Sequence, residues 1–169
     1  MFASLSEAVR ANHGLEHATV SILLSKPGAQ KRLFGHAVPD GFYLYGNVDE
    51  ESFRDAAHEA LARMKAGEDG LAVSPLCGTN IVISGIAAGL VSLATVHQPN
   101  RFSRFPNIVT ATSLGIVLGQ PLGRWFQKNV TTSPRVHDME IVDISRGFWP
   151  GKPFRVRTRR TGGTTTPLA

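Results

Sequence analysis

The sequence predicts an α+β fold: a small helix-and-strand domain built from both ends of the chain and interrupted by a transmembrane helical hairpin. Two stretches of the second half, 71–100 and 105–123, contain no Asp, Glu, Lys or Arg. A helix needs about 20 mostly apolar residues to cross a bilayer. We therefore expect membrane helices near Thr79–Val96 and Asn107–Phe126. The mean hydropathy of the chain, −0.04, requires the remaining segments to face water.

The chain begins with a predicted helix followed by a β-hairpin. Ser4 or Ser6 is suited to cap a helix that runs to about Ser25, because a serine hydroxyl can accept a free backbone N–H of the first turn. Pro39-Asp40-Gly41 has the composition of a tight turn. We expect strands on either side of it, at 31–38 and 42–45.

A second helix and two later strands complete the predicted domain. Asn47 or Asp49 is a suitable cap for a helix over 50–66, whose apolar residues recur at spacings of three and four. Met139–Ser145, rich in Ile and Val, and Phe154–Thr158 are the later predicted strands. The predicted limits are 1–76 for the N-terminal part, 77–130 for the hairpin, 131–158 for the C-terminal strands and 159–169 for a disordered basic tail.

Small residues at intervals of four mark both hairpin helices. Gly85 and Gly89 in the first helix, and Gly115 and Gly119 in the second, allow helix backbones to approach closely. We expect these glycines to mediate contact with a second copy of the chain or with a larger membrane complex. The polar residues expected to form hydrogen bonds between the helices are Asn80 and Gln120.

The charge is divided unevenly along the chain. Residues 1–100 carry a net charge of −3 and residues 101–169 carry +8. Because the basic residues flank the apolar hairpin, they favour anionic lipid headgroups, and the lipid bilayer is the expected partner. Nucleic acid, the other common partner of a basic segment, is disfavoured by this placement.

The distribution of basic residues also predicts the orientation. Two lie in the loop between the helices and five lie on the terminal flanks, so the positive-inside rule predicts an inner-membrane protein with both termini in the cytoplasm. The absence of a signal-peptide pattern and the single Cys77 agree with this expectation. The basic residues compared are Arg101 and Arg104 in the loop, and Arg63, Lys65, Arg124, Lys128 and Arg135 on the flanks.

The sharpest local pattern is His13-Gly14-Leu15-Glu16-His17. On a helix, His13 and His17 lie one turn apart on the same face and can bind one zinc ion. Glu16 lies beside them and could act as the base on a metal-bound water, in the H-x-x-E-H order of the inverted zinc peptidases. A third ligand must come from elsewhere. The candidates are Glu59, which we include in the predicted metal site, and His58, His36 and Cys77.

These observations leave two functional hypotheses open. The first is a small integral membrane protein of unestablished activity that binds a divalent metal, with metal-dependent hydrolysis as a less favoured extension. The second is a non-catalytic accessory or assembly subunit of a larger membrane complex, in which the two histidines only pack. No Walker-type or Rossmann glycine loop, CxxC or GxSxG motif points to another enzyme class.

Several separated segments resemble an uncharacterised family of small bacterial membrane proteins found in cyanobacteria and related phototroph-rich groups. The resemblance covers roughly residues 10 to 146. It implies two membrane helices and an N-terminal H-x-x-E-H helix, and it implies no established activity. The segments that carry it are Asn12–Thr19, Gly41–Gly46, Cys77–Asn80, Gln120–Gly123 and Thr131-Thr132.

Overall fold

The structure, a computed structural model, describes residues 2–27, 32–95, 101–147 and 153–161. The chain forms two compact units, one of Met1–Val73 with Thr132–Ala169 and one of Ser74–Thr131. Residues 162–169, most of the predicted disordered tail, lie outside the described residues. The start of that predicted tail is instead ordered, because Arg159 and Arg160 belong to a strand.

The first helix of the first unit, α1, spans Phe2–Ser25. It begins before Ser4 and Ser6, so both predicted cap positions are wrong, whereas the predicted end at Ser25 is confirmed. The buried residues of α1 recur at spacings of three and four and so form a single core-facing stripe. They include Ala11, Leu15, Ala18 and Ile22.

The second helix, α2, spans Glu50–Lys65 and is capped by Asp49, one of the two predicted residues. Oδ1 of Asp49 accepts the backbone N–H of Ser52 at 2.7 Å, and this hydrogen bond lowers the pKa of the Asp49 carboxyl. The contribution of this cap to stability is therefore present above the ordinary carboxyl pKa and is lost as the pH falls. A 3₁₀ helix, Asp69–Ala72, follows α2.

Four antiparallel strands form one sheet in the order β1-β2-β4-β3, with strands from both ends of the chain, as predicted. Alternate residues of the two central strands, Phe42 and Leu44 in β2 and Phe154 and Val156 in β4, are buried in the core with residues of α1 and α2. The α+β character is thus confirmed for this unit. The strands are β1 Phe34–Val38, β2 Gly41–Tyr45, β3 Met139–Arg146 and β4 Phe154–Arg160.

The second unit contains the helices α3, Gly78–Leu93, and α4, Arg101–Phe126. The predicted transmembrane hairpin is wrong, because none of the helices in the described part of the chain is long and apolar enough to cross a membrane. α3 has 16 residues, fewer than the roughly 20 that are needed. α4 has 26 residues, but its apolar character is diluted. The residues responsible are Arg104, Pro106, Gln120, Pro121 and Arg124.

The predictions that depended on a transmembrane hairpin are corrected with it. An integral membrane protein, an inner-membrane location and cytoplasmic termini all required spanning helices, and the described helices do not supply them. The alternative of an accessory subunit in a membrane complex rested on the same helices and has no support. The absence of charged residues was a misleading criterion for a membrane helix, since residues 71–77 are uncharged but lie outside α3.

The two helices of the second unit meet along their small residues. A Cβ on Gly119 would lie 2.5 Å from Cα of Ser84, and a Cβ on Gly115 would lie 2.5 Å from Cα of Ala88. The contact continues at Gly123, four residues further along α4, which faces α3 in the same way. The intervals of four found in the sequence therefore allow close helix packing within one chain.

Polar side chains add hydrogen bonds to this packing. Nε2 of Gln120 donates to Oγ of Ser84 at 3.3 Å, which confirms the role predicted for Gln120 between the helices. Nε2 of Gln127, directly after α4, donates to Oδ1 of Asn80 at 2.6 Å. Oε1 of Gln127 accepts the backbone N–H of Ser74 at 3.1 Å. Because Asn80 and Gln127 are buried, loss of either partner would leave a desolvated polar group.

Self-association through Gly85 and Gly89 stays a prediction. No heavy atom lies within 4 Å of a Cβ built on either glycine. Because a leucine side chain would prevent the close approach of a second helix, Gly85→Leu should raise the dissociation constant of a self-associated form by roughly tenfold, measured by sedimentation velocity. Gly70→Leu, the same change at an open site of the first unit, should not. A wild-type chain that stays monomeric over the whole concentration range would contradict this prediction.

Candidate functional site

The two histidines of the H-x-x-E-H pattern lie side by side on α1. The ring centroids of His13 and His17 are 4.4 Å apart, and the rings are tilted by 58°. Their candidate ligand atoms lie within 4.8 Å of one another. The helical turn between them produces this spacing, as the sequence predicts. Two imidazole nitrogens at this distance can reach a common ion without a change in the backbone.

The ring of His17 is held by a backbone carbonyl. Its Nδ1 lies 2.9 Å from the carbonyl oxygen of Ala72, the last residue of the 3₁₀ helix. A carbonyl oxygen only accepts, so Nδ1 must carry the proton. In the neutral ring, Nε2 then bears the free lone pair. This is the arrangement by which metal-bound histidines are oriented through their second nitrogen.

Asn12, directly before the motif, fixes α1 to the sheet. Its Nδ2 donates to the carbonyl oxygens of Val38 and Pro39 at 2.9 and 3.1 Å. Its Oδ1 accepts the hydroxyl of Thr158 at 2.7 Å. The side chain is 1% exposed, and all three partners come from the β1–β2 turn or from β4. This amide therefore determines where α1, and with it the histidine pair, lies on the sheet.

Gly14 allows a second close approach beside the histidines. A Cβ at this position would lie 2.6 Å from the backbone oxygen of Ser133 and 3.2 Å from Cβ of Ala72. The backbone N–H of Ser133 in turn donates to the carbonyl oxygen of Arg10 at 2.9 Å. The missing side chain thus lets α1 pack against both segments, including the one that positions the ring of His17.

Glu16, the predicted base, lies over the first strand. The side chain is 6% exposed, and a Cβ on Gly35 of β1 would lie 2.7 Å from Cδ of Glu16. Its carboxylate is therefore directed towards β1 and the sheet. The glycine in β1 is what leaves room for it.

The candidates for a further ligand lie in four different settings. Glu59 is exposed on α2 and forms an ion pair with Arg63 at 3.4 Å. His58 is also exposed on α2, and His36 stacks on Tyr43. Within the described part of the first unit, none of these three completes a group of three close ligand atoms with the histidine pair. Cys77 belongs to the second unit, where it is the buried N-cap residue of α3.

Three contacts of this site are not predicted by the H-x-x-E-H motif itself. The carbonyl oxygen of Ala72 leaves no signal in the sequence, because every residue has such a group. The close approaches at Gly14 and Gly35 had a weak signal, namely a glycine inside a helix and another inside a strand, where glycine normally costs stability. Such glycines often mark the close approach of another segment.

Comparison with known proteins places the chain in a family without an assigned role. Residues 8–144 match DUF6391, described as a domain of unknown function. An uncharacterized protein of the cyanobacterium Picosynechococcus sp. is 33% identical over 135 residues, which cover 74% of this chain and 66% of that protein. The chain therefore spans slightly less than two thirds of that relative. No solved structure matches the chain. The resemblance to an uncharacterised family is thus confirmed without its membrane character, and the chain belongs to the DUF6391 family.

Proposed function

We propose that this domain binds a divalent metal ion through His13 and His17. The observation that carries the proposal is the hydrogen bond from Nδ1 of His17 to the carbonyl oxygen of Ala72, since a proton on Nδ1 leaves Nε2 of this buried ring with the lone pair that a metal ion needs. His13 lies one helical turn away with its ring beside it. Small side-chain movements are enough to bring one nitrogen of each ring to the same ion.

The donor set favours a borderline metal such as zinc. Imidazole nitrogen is a common ligand of zinc, copper and nickel, whereas calcium and magnesium prefer oxygen. Zinc takes four ligands in most proteins. Two histidines would supply two of the four protein ligands of a structural site, or two of the three protein ligands of a catalytic site. The remaining ligands are to be sought within the first unit, among Glu59, His58 and His36, by single substitution.

Elemental analysis of the purified full chain tests the proposal. The protein must carry no histidine tag, since a tag would bind metal itself. We expect about one divalent ion per chain. We expect His13→Ala to remove the ion, because the remaining histidine binds it too weakly when one of the two ligands is lost. Glu16→Gln should retain the ion, since a carboxylate directed towards β1 is not a ligand in this arrangement.

His137→Ala is the matched control, because this exposed histidine lies outside the pair. It should retain the ion. His17→Ala is less informative alone, since the ring is buried and its loss also disturbs packing.

Thermal unfolding gives an independent test of metal binding. An ion at 100 times its dissociation constant stabilises the folded chain by about 2.7 kcal/mol, so a chelator should lower the melting temperature by several degrees. The same chelator should leave His13→Ala unchanged. A wild-type chain that takes up no zinc, copper or nickel and melts identically with and without chelator would contradict the proposal.

A further inference from the structure

The outward face of the sheet carries a column of stacked rings. The ring of His36 in β1 lies 5.1 Å from that of Tyr43 in β2, with an interplanar angle of 16°. It lies 6.0 Å from the ring of Tyr45, at 20°. Phe34 continues the column, 6.1 Å from Tyr45. At the opposite end, the guanidinium group of Arg155 in β4 lies 5.3 Å from the centre of the Tyr43 ring.

These residues lie on the face opposite the core. Their neighbours along β2 and β4 are buried, and side chains alternate between the two faces of a strand. Cross-strand packing accounts for His36 and Tyr43, which face each other in register. Phe34 likewise faces Tyr45 in register, yet Phe34 is 68% exposed and Tyr45 is 37% exposed. The two rings together leave an exposed aromatic surface on which another molecule can stack.

Arginines extend this face across the sheet. Arg155, Arg157 and Arg159 follow one another at intervals of two in β4, so they share the outward face. Arg155 forms an ion pair with Asp40 at 2.7 Å, and Arg159 forms a longer one with Glu140 at 3.8 Å. Such exposed pairs contribute little, so a phosphate group can replace the carboxylate at small cost.

The central arginine differs from its neighbours. Arg157 faces Gly41 in β2 and Asp143 in β3 by strand register. Within the described ranges its guanidinium group forms no hydrogen bond or ion pair, although its backbone belongs to the sheet. Its side chain is exposed, and it lies two residues along β4 from Arg155, whose guanidinium group is next to the Tyr43 ring.

We infer that this face binds single-stranded nucleic acid. Unpaired bases stack on exposed aromatic rings and on guanidinium planes, and phosphates pair with arginine. The four strands span about 14 Å, which is room for a few nucleotides. The placement of the basic residues along the sequence disfavoured nucleic acid, but the sheet brings arginines and aromatic rings to one face, and this combination is what base and phosphate recognition require.

Fluorescence anisotropy with a labelled single-stranded oligonucleotide tests the inference, once with an oligouridylate and once with an oligothymidylate to separate RNA from DNA. We expect an affinity that falls as salt rises. Arg157→Gln should weaken binding about threefold to tenfold through loss of a phosphate contact. Phe34→Leu should weaken it about tenfold, because leucine keeps the apolar volume and loses the stacking face.

Lys65→Gln is the matched control. It removes the same charge from the exposed end of α2, a helix that packs on the core side of the sheet, and should change the affinity less than twofold. If Arg157→Gln and Lys65→Gln weakened the affinity equally, binding would be due to general charge attraction and not to a site on this face, which would overturn the inference. So would binding that is equally tight to heparin, which has no bases, or no binding to either oligonucleotide at low salt.

Discussion

Replacement of Gly119 by alanine is expected to destabilise the α3–α4 pair by about 1–3 kcal/mol, the usual cost of overpacking a close contact. The added methyl group would lie 2.5 Å from Cα of Ser84 and 2.9 Å from its Oγ. Neither helix backbone can yield without separating its neighbours. The hydrogen bond from Gln120 to Ser84 is in the same place and should weaken together with the packing.

Gly89→Ala is the matched control for this change. It adds the same methyl group to α3 where no heavy atom lies within 4 Å. Alanine restricts the unfolded chain more than glycine, so this variant should be more stable by about 0.5–1 kcal/mol. The two substitutions are therefore predicted to act with opposite signs.

Hydrogen exchange measured by mass spectrometry can resolve this difference within the second unit. A change of 1.4 kcal/mol corresponds to tenfold in the opening equilibrium, so α3 and α4 amides should exchange roughly tenfold faster in Gly119→Ala and somewhat slower in Gly89→Ala. Unchanged exchange in Gly119→Ala would show that the helices do not pack along these glycines.

The sequence predicted the first unit well because local rules decide it. The end of α1, the Asp49 cap and the four strands follow from capping, apolar spacing and turn residues, which act within a few positions of the chain. The sheet order could not be derived in this way. β4 pairs with β2 across more than one hundred residues, and the register of that pair depends on packing against α1 and α2.

The second unit shows where composition misleads. Its residues between the helices are small or polar, such as Ser84 and Gly119, while its large apolar residues are exposed. An uncharged stretch looks the same whether its helix is long or short, and the end of α3 at Leu93 carried no strong signal. The length and the hydropathy of an actual helix decide whether it can span a bilayer, not the absence of charge.

The candidate site, too, could be predicted from the sequence only in part. The spacing of His13 and His17 was a local prediction, and the structure brings their rings together. Glu59 forms an ion pair with Arg63 on the exposed side of α2, and its role as a metal ligand stays a prediction. The group that orients His17 is a backbone carbonyl, and only the folded chain reveals which carbonyl that is.

Three glycines of the first unit should respond to alanine in a graded order, with Gly41 the most sensitive. Its φ of 146° favours glycine, and a Cβ would meet the carbonyl oxygen of Val156 and lie 2.9 Å from its carbonyl carbon. Backbone strain and collision together should cost about 3–5 kcal/mol. Since β2 pairs with β4 at this point, the whole sheet should lose stability.

Gly67 and Gly70 separate the two causes of that loss. Gly67 has a φ of 96° but open space around it, so alanine should cost only the conformational term, about 1–2 kcal/mol. Gly70 has neither feature, and its change should stay within about 0.5 kcal/mol. Urea denaturation followed by circular dichroism measures all three. If Gly41→Ala lost no more stability than Gly67→Ala, then β2 would not approach β4 as closely as this register requires.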